Sequence, residues 1–115
     1  MESNSQERNR RLLIIAGHAI YQQHKWHGGQ PDEDRFYEQH IRDGFQIWRS
    51  EAYQALAFSG GHTRPREPVT KSEAKGMLEF ARDAELCVDE ADILVESFAR
   101  DNFENVLFPI LAFFS

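Results

Sequence analysis

Short runs of uninterrupted apolar residues, each closed by a glycine or polar cluster, constrain this chain more than any other feature. Leu12-Leu13-Ile14-Ile15-Ala16 ends at Gly17, Ala55-Leu56-Ala57-Phe58 ends at Ser59-Gly60-Gly61, and Asp92-Ile93-Leu94-Val95-Glu96 leads into Ser97. Continuous rather than alternating apolarity is what a strand covered on both faces requires. Helical patterns separate the runs. Pro31-Asp32 opens a helix through about Glu51, with Tyr37, Ile41, Phe45 and Trp48 spaced along one face. On that spacing Phe45 and Trp48 read as core. Thr70-Lys71-Ser72-Glu73 fits a capping box, in which Thr70 bonds the backbone N–H of Glu73 and the Glu73 side chain reaches back. Ala74, Met77, Leu78 and Ala81 follow on one helical face. Asp101 to Glu104 fits a second box, with the aspartate as cap. The segment from His18 to Gln30, polar and carrying Gly28-Gly29, reads as a long loop. Strand alternating with helix predicts a parallel sheet with right-handed crossovers.

Length and charge narrow the class. A chain of 115 residues is one domain at most. Its net charge of −6, with both signs intermixed, offers no broad basic face to nucleic acid or to an anionic membrane. Cys87 is the only cysteine, so no intrachain disulfide forms. Residues 1–11 form a polar tail with no apolar core, unlike a signal peptide, and no apolar run approaches the roughly 20 residues of a membrane span. The expectation is a soluble, cytoplasmic protein.

Ligands of open parallel sheets bind beyond the carboxyl ends of the strands. Gly17-His18, Ser59-Gly60-Gly61-His62 and Glu96-Ser97-Phe98-Ala99-Arg100-Asp101 follow the three runs, so all should meet at one edge. The strand–glycine–helix order predicts bare backbone N–H groups after Ser59, with Thr63 among the ligand-binding positions and with Arg64 and Arg66 either an anion clamp or solvated loop charges. The plainer reading of Gly60-Gly61 is a turn needing positive φ. Glu73 reads first as a capping residue. Glu96 is the best catalytic candidate: a carboxylate closing an apolar strand either pairs with Arg100 or faces the pocket, holding a ribose hydroxyl or acting as general base. Asp101 is either a cap or a site residue, and Asn105 either bonds a ligand or ties two loops. His24 and His27, with His18 and His62, invite a metal reading, but no cysteine pair or His-Glu-x-x-His helix accompanies them and no metal is expected. Ser59 and Ser97 lack the Gly-x-Ser-x-Gly elbow, and Cys87 reads as a small packed hydrophobe.

Gly17 after an apolar strand, Phe58-Ser59-Gly60-Gly61, Ser72-Glu73-Ala74, Glu96-Ser97, Arg100-Asp101 and Glu104-Asn105 occur in that order. Together they resemble the YdcF-like and SanA-like domain family, a domain of unknown function, and most of all its soluble fungal members. The resemblance covers residues 12–108. It implies a Rossmann-like, three-layer α/β sandwich with a parallel sheet and a polar pocket at the strand ends. It also implies a small-molecule ligand of nucleotide-like character, with S-adenosylmethionine as a candidate.

Family domains continue with further strands after the Glu-Asn motif, whereas here an apolar stretch, residues 109–115, follows and the chain stops. If Asp101 caps a helix, Pro109 falls in its interior, at a cost of roughly 3 kcal/mol. These features predict an incomplete, truncated N-terminal portion of the domain. Two function classes result. One is a protein binding a small anionic or nucleotide-like ligand at the strand edge. The other is a non-catalytic remnant or interaction module that self-associates through an open sheet edge and the apolar tail.

Overall fold

The structure, a computed structural model, describes residues 11–30, 32–51, 53–62, 70–86 and 90–114, with the side chain of residue 102 left aside. Strand β1 (Leu12–Ala16) is followed by a hairpin of β2 (Ile20–Gln22) and β3 (Lys25–His27), then by helix α1 (Asp34–Ser50). Strand β4 (Ala55–Ser59), helix α2 (Glu73–Asp83), strand β5 (Ile93–Glu96) and helix α3 (Asn102–Phe113) complete the order. The fold is α/β, as the alternation of apolar runs and helices predicts, and its parallel sheet makes it Rossmann-like.

The main sheet is parallel with order β1-β4-β5. Ala16 pairs with Ser59 and Ser59 with Glu96, so the three strands end at one level. Side chains alternate across it. Ile15, Leu56 and Phe58 join Ile41 and Phe45 of α1 and Met77 and Phe80 of α2 in one core, with Leu13, Ile93 and Val95 packed against it. Both crossover helices therefore lie on one face, as same-handed crossovers in a sheet that winds one way require. The opposite face, carrying Ala57 and Ser59, receives α3, which packs on all three strands. Central β4 is buried at every residue, which explains its unbroken apolarity. Phe45 and Trp48 are core residues, packed edge to face at 5.7 Å between centroids.

Local expectations fail in two places. The segment after His18 is not a long loop: it forms the β2–β3 hairpin, in which Tyr21 faces Trp26. Its two-residue turn, Gln23-His24, has φ of 55° and 63°. Such a turn matches strand twist but usually uses Asn-Gly, so the usual signal is absent. The hairpin packs on α2 where Gly76 leaves room, since a Cβ there would lie 2.6 Å from the Tyr21 nitrogen. Second, the cap of α2 is Ser72, whose hydroxyl accepts from the Lys75 N–H at 3.0 Å. The Thr70–Glu73 box does not form, because the N–H groups of Thr70 and Lys71 both donate to Gln22 Oε1 of the hairpin, at 3.0 Å each. As the Asp101 cap implies, Pro109 lies in the interior of α3, which runs on to Phe113. The ring forfeits the bond to the Asn105 carbonyl. Asn105 and Pro109, four residues apart, form the buried inner stripe of α3 against the sheet.

Candidate functional site

The clusters that follow the strands do meet. Beyond the ends of β1, β4 and β5 lies a cavity of about 250 Å3, lined by Gly17, His18, Glu73, Ala99, Arg100, Asp101 and Asn105. Backbone bonds join the strand ends beside it. The Gly17 N–H donates to the Ser59 carbonyl at 2.8 Å, and the Gly60 N–H donates to the Glu96 carbonyl at 3.0 Å. The carbonyls of Gly61 and Gly60 in turn accept from the N–H groups of Glu73 (2.9 Å) and Ala74 (3.1 Å). With Ser72 satisfying Lys75, the first turn of α2 is saturated by protein. The N-terminus of this helix is thus no bare anion cradle, contrary to the expectation from the glycines.

What the glycines supply is space. Neither Gly60 nor Gly61 has positive φ; among the described glycines only Gly28 and Gly29 do. A Cβ on Gly17 or on Gly60 would sit 2.6 Å from Glu73 Cβ, and one on Gly61 would collide with the Ala99 carbonyl. The Glu73 side chain is wedged between two strand ends, 8% exposed, at the wall of the cavity. It is a buried carboxylate bordering the cavity and not the partner of a Thr70 cap.

The remaining candidates divide. Asn105 is 6% exposed, lines the cavity, and accepts from the Ser59 hydroxyl through Oδ1 at 3.3 Å. It ties α3 to β4, and its amide nitrogen has no partner among the described residues. Asp101 caps α3, accepting from the Glu104 N–H at 2.9 Å, and also lines the cavity. Arg100 is committed to Glu104: its Nη2 lies 2.7 Å from Glu104 Oε2 and its backbone N–H donates to Oε1 at 2.8 Å. That pairing raises the guanidinium pKa and lowers that of the Glu104 carboxyl. Glu96 neither pairs with Arg100 nor lines this cavity. Its Oε1 accepts from the Phe98 N–H at 2.6 Å, which shapes the loop after β5. Ser97 bonds Ser72, Oγ to Oγ at 2.7 Å, and so ties that loop to the start of α2. His62 is exposed. Thr63, Arg64, Arg66 and Cys87 lie outside the described residues.

The hairpin histidines are engaged elsewhere, His24 with Asp83 at 3.0 Å and His27 with the Gln22 carbonyl at 3.2 Å. Among the described residues no three His, Cys, Asp or Glu side chains gather as metal ligands.

A second cavity, of about 480 Å3, adjoins the first at His18 and is walled by Glu33, Phe36, Tyr37 and His40, with Gly29 and Gln30 as its rim. Sequence reasoning missed it, although the signal was present. Positions 33, 36, 37 and 40 share one helical face, and the first turns of a crossover helix stand at the carboxyl edge of the strand before it. The rings of His18 and His40 are 5.9 Å apart between centroids. Burial, and then the neighbouring His18, hold the His40 imidazole below its ordinary pKa, against an opposing pull from Asp43. Neutral His40 can therefore both donate and accept near pH 7.

The fold and this edge define the chain as a small α/β protein with a polar cleft at the carboxyl ends of a three-stranded parallel sheet. Comparison with family models, with curated proteins and with solved structures finds no significant match. Among the described residues no helix is long and apolar enough to cross a membrane.

Proposed function

We propose that this protein binds a small nucleotide-like molecule in the cleft beyond β1, β4 and β5. The observation that carries the reading is Glu73, a carboxylate buried where strand ends meet and bordering a cavity with Asn105. A carboxylate at a cavity wall can accept from both hydroxyls of a vicinal diol such as that of ribose. Glu73 and Asp101 make the described lining acidic, while Arg100 is neutralised by Glu104. That sign favours hydroxyl or cationic groups over a phosphate. The anionic version of the ligand rests on Arg64 and Arg66. S-adenosylmethionine, a nucleoside carrying a sulfonium cation, agrees with the acidic lining. The resemblance to YdcF-like and SanA-like domains supports the same edge as the pocket.

Thermal unfolding with S-adenosylmethionine, adenosine and ribose 5-phosphate tests this. A ligand at 100 times its Kd adds about 2.7 kcal/mol of stability, a rise of roughly 11 °C at about 2.1 cal/mol/K per residue for this length. The rise should vanish in Glu73→Gln. No shift with any of the three, or shifts that survive the substitution, would count against the reading.

A second reading, a self-associating interaction module, is favoured by the outer face of α3. Phe103, Val106, Ile110 and Phe114 follow helical spacing and stay exposed, Phe103 at 63%. Sedimentation decides it: a monomer at all concentrations removes this alternative.

A further inference from the structure

We infer that the cavity between the His18 loop and the first turns of α1 is a subsite for a planar nitrogen heterocycle, the base of a purine nucleoside whose ribose lies against Glu73. The inference rests on the function proposed above and adds to it the part of the ligand that the first cavity cannot house.

Size makes the first argument. Small-molecule sites usually span about 300–1,000 Å3. The cavity beside Glu73, about 250 Å3, falls below that range, whereas the adjoining one, about 480 Å3, falls within it. His18 lines both, so one ligand can span them.

Chemistry makes the second. The walls of the larger cavity are flat rings. The His18 and Tyr37 rings are nearly parallel, 21° apart with centroids separated by 6.1 Å, and Phe36 lines the same cavity, 59% exposed. An exposed phenylalanine beside a cavity offers a stacking face at little cost to the fold. Base–aromatic stacking depends on the π face rather than on base identity. Edge recognition needs polar groups, and Gln30, Glu33 and His40 supply both donors and acceptors around those rings. Tyr37 is itself held in place, because its hydroxyl accepts from the Gln30 N–H at 3.1 Å and its ring packs on Trp26 at 5.6 Å between centroids.

The test is adenosine titrated into the full chain, followed by calorimetry and by amide NMR. Three results are expected together. Ring-current shifts appear at the Gly29 and Gln30 amides. Phe36→Ala weakens adenosine binding roughly tenfold, within the range for one stacked base. The same substitution leaves ribose binding unchanged. Phe36 is exposed, so the variant should fold, and the wild-type NMR shifts need no variant at all. Adenosine binding that Glu73→Gln abolishes but Phe36→Ala does not touch, with Gly29 and Gln30 unmoved, overturns the base subsite and leaves the proposed function standing. No binding of adenosine overturns the subsite outright.

Discussion

Removing the Ser72 hydroxyl should cost far more than removing that of Thr70, although the capping pattern in the sequence points to Thr70. Ser72 is fully buried, and its Oγ accepts from the Lys75 N–H at 3.0 Å while also bonding Ser97 Oγ at 2.7 Å. Losing an N-cap oxygen costs about 1 kcal/mol, and leaving a part-buried Ser97 hydroxyl without its partner adds about 1 kcal/mol. Unfolding entropy of about 2.1 cal/mol/K per residue gives about 0.24 kcal/mol/K for 115 residues. Ser72→Ala should therefore lower Tm by about 8 °C on the same relation. Thr70 is exposed, and its contact with Gln22 runs through its backbone N–H, which alanine keeps. Thr70→Ala should stay within about 0.5 kcal/mol, or about 2 °C. Thermal unfolding followed by circular dichroism of both variants measures the contrast. Equal losses, or a larger loss at Thr70, would refute the assignment of the cap. They would also undercut the seating of Glu73, the residue that follows it.

Further outcomes follow from the same geometry. Gly60→Ala should destabilise the fold by about 1–3 kcal/mol, the usual range for overpacking, and displace Glu73, since its Cβ would lie 2.6 Å from Glu73 Oε1; a variant that melts and binds adenosine like the wild type would refute the wedge. His40, facing His18 across the cavity with Asp43 on its own helix, holds its proton less well when folded than unfolded. The unfolded chain thus binds more protons just below about pH 6.5, so stability should be full above that pH and fall as pH drops toward the folded pKa. Urea midpoints across that window should lose part of their slope in His40→Gln, and an unchanged slope would count against the coupling. Tyr21, desolvated and donating to Asp83 Oδ2 at 3.0 Å, has its pKa pushed up to about 12. Its tyrosinate absorbance should appear after that of the other tyrosines, and Tyr21→Phe should remove the late phase; a single phase near the ordinary value in the wild type would be inconsistent with that burial.

The parts of this protein legible in its sequence are those decided by local periodicity. A strand covered on both faces must be apolar at every position, so β1, β4 and β5 announced themselves. So did the core stripe of α1 and the Asp101 cap, because their determinants lie within a few residues of one another. The parallel register that brings Gly17, Gly60 and Ser97 to one level follows from the same alternation. Tertiary structure decided which groups at that level border the cavity. The Gly17 and Gly60 N–H groups are taken up by the Ser59 and Glu96 carbonyls of neighbouring strands, and the first N–H groups of α2 by the Gly61 and Gly60 carbonyls, partners twelve or more residues away. Glu96 turns into its own loop, while Glu73 acquires its place because Gly17 and Gly60, just beyond the ends of separate strands, leave the gap it fills. The second cavity depends likewise on His18 and the first turns of α1 meeting across the hairpin between them. Periodicity reports which face of an element is apolar. Only close packing of distant segments determines which polar group is left facing a cavity.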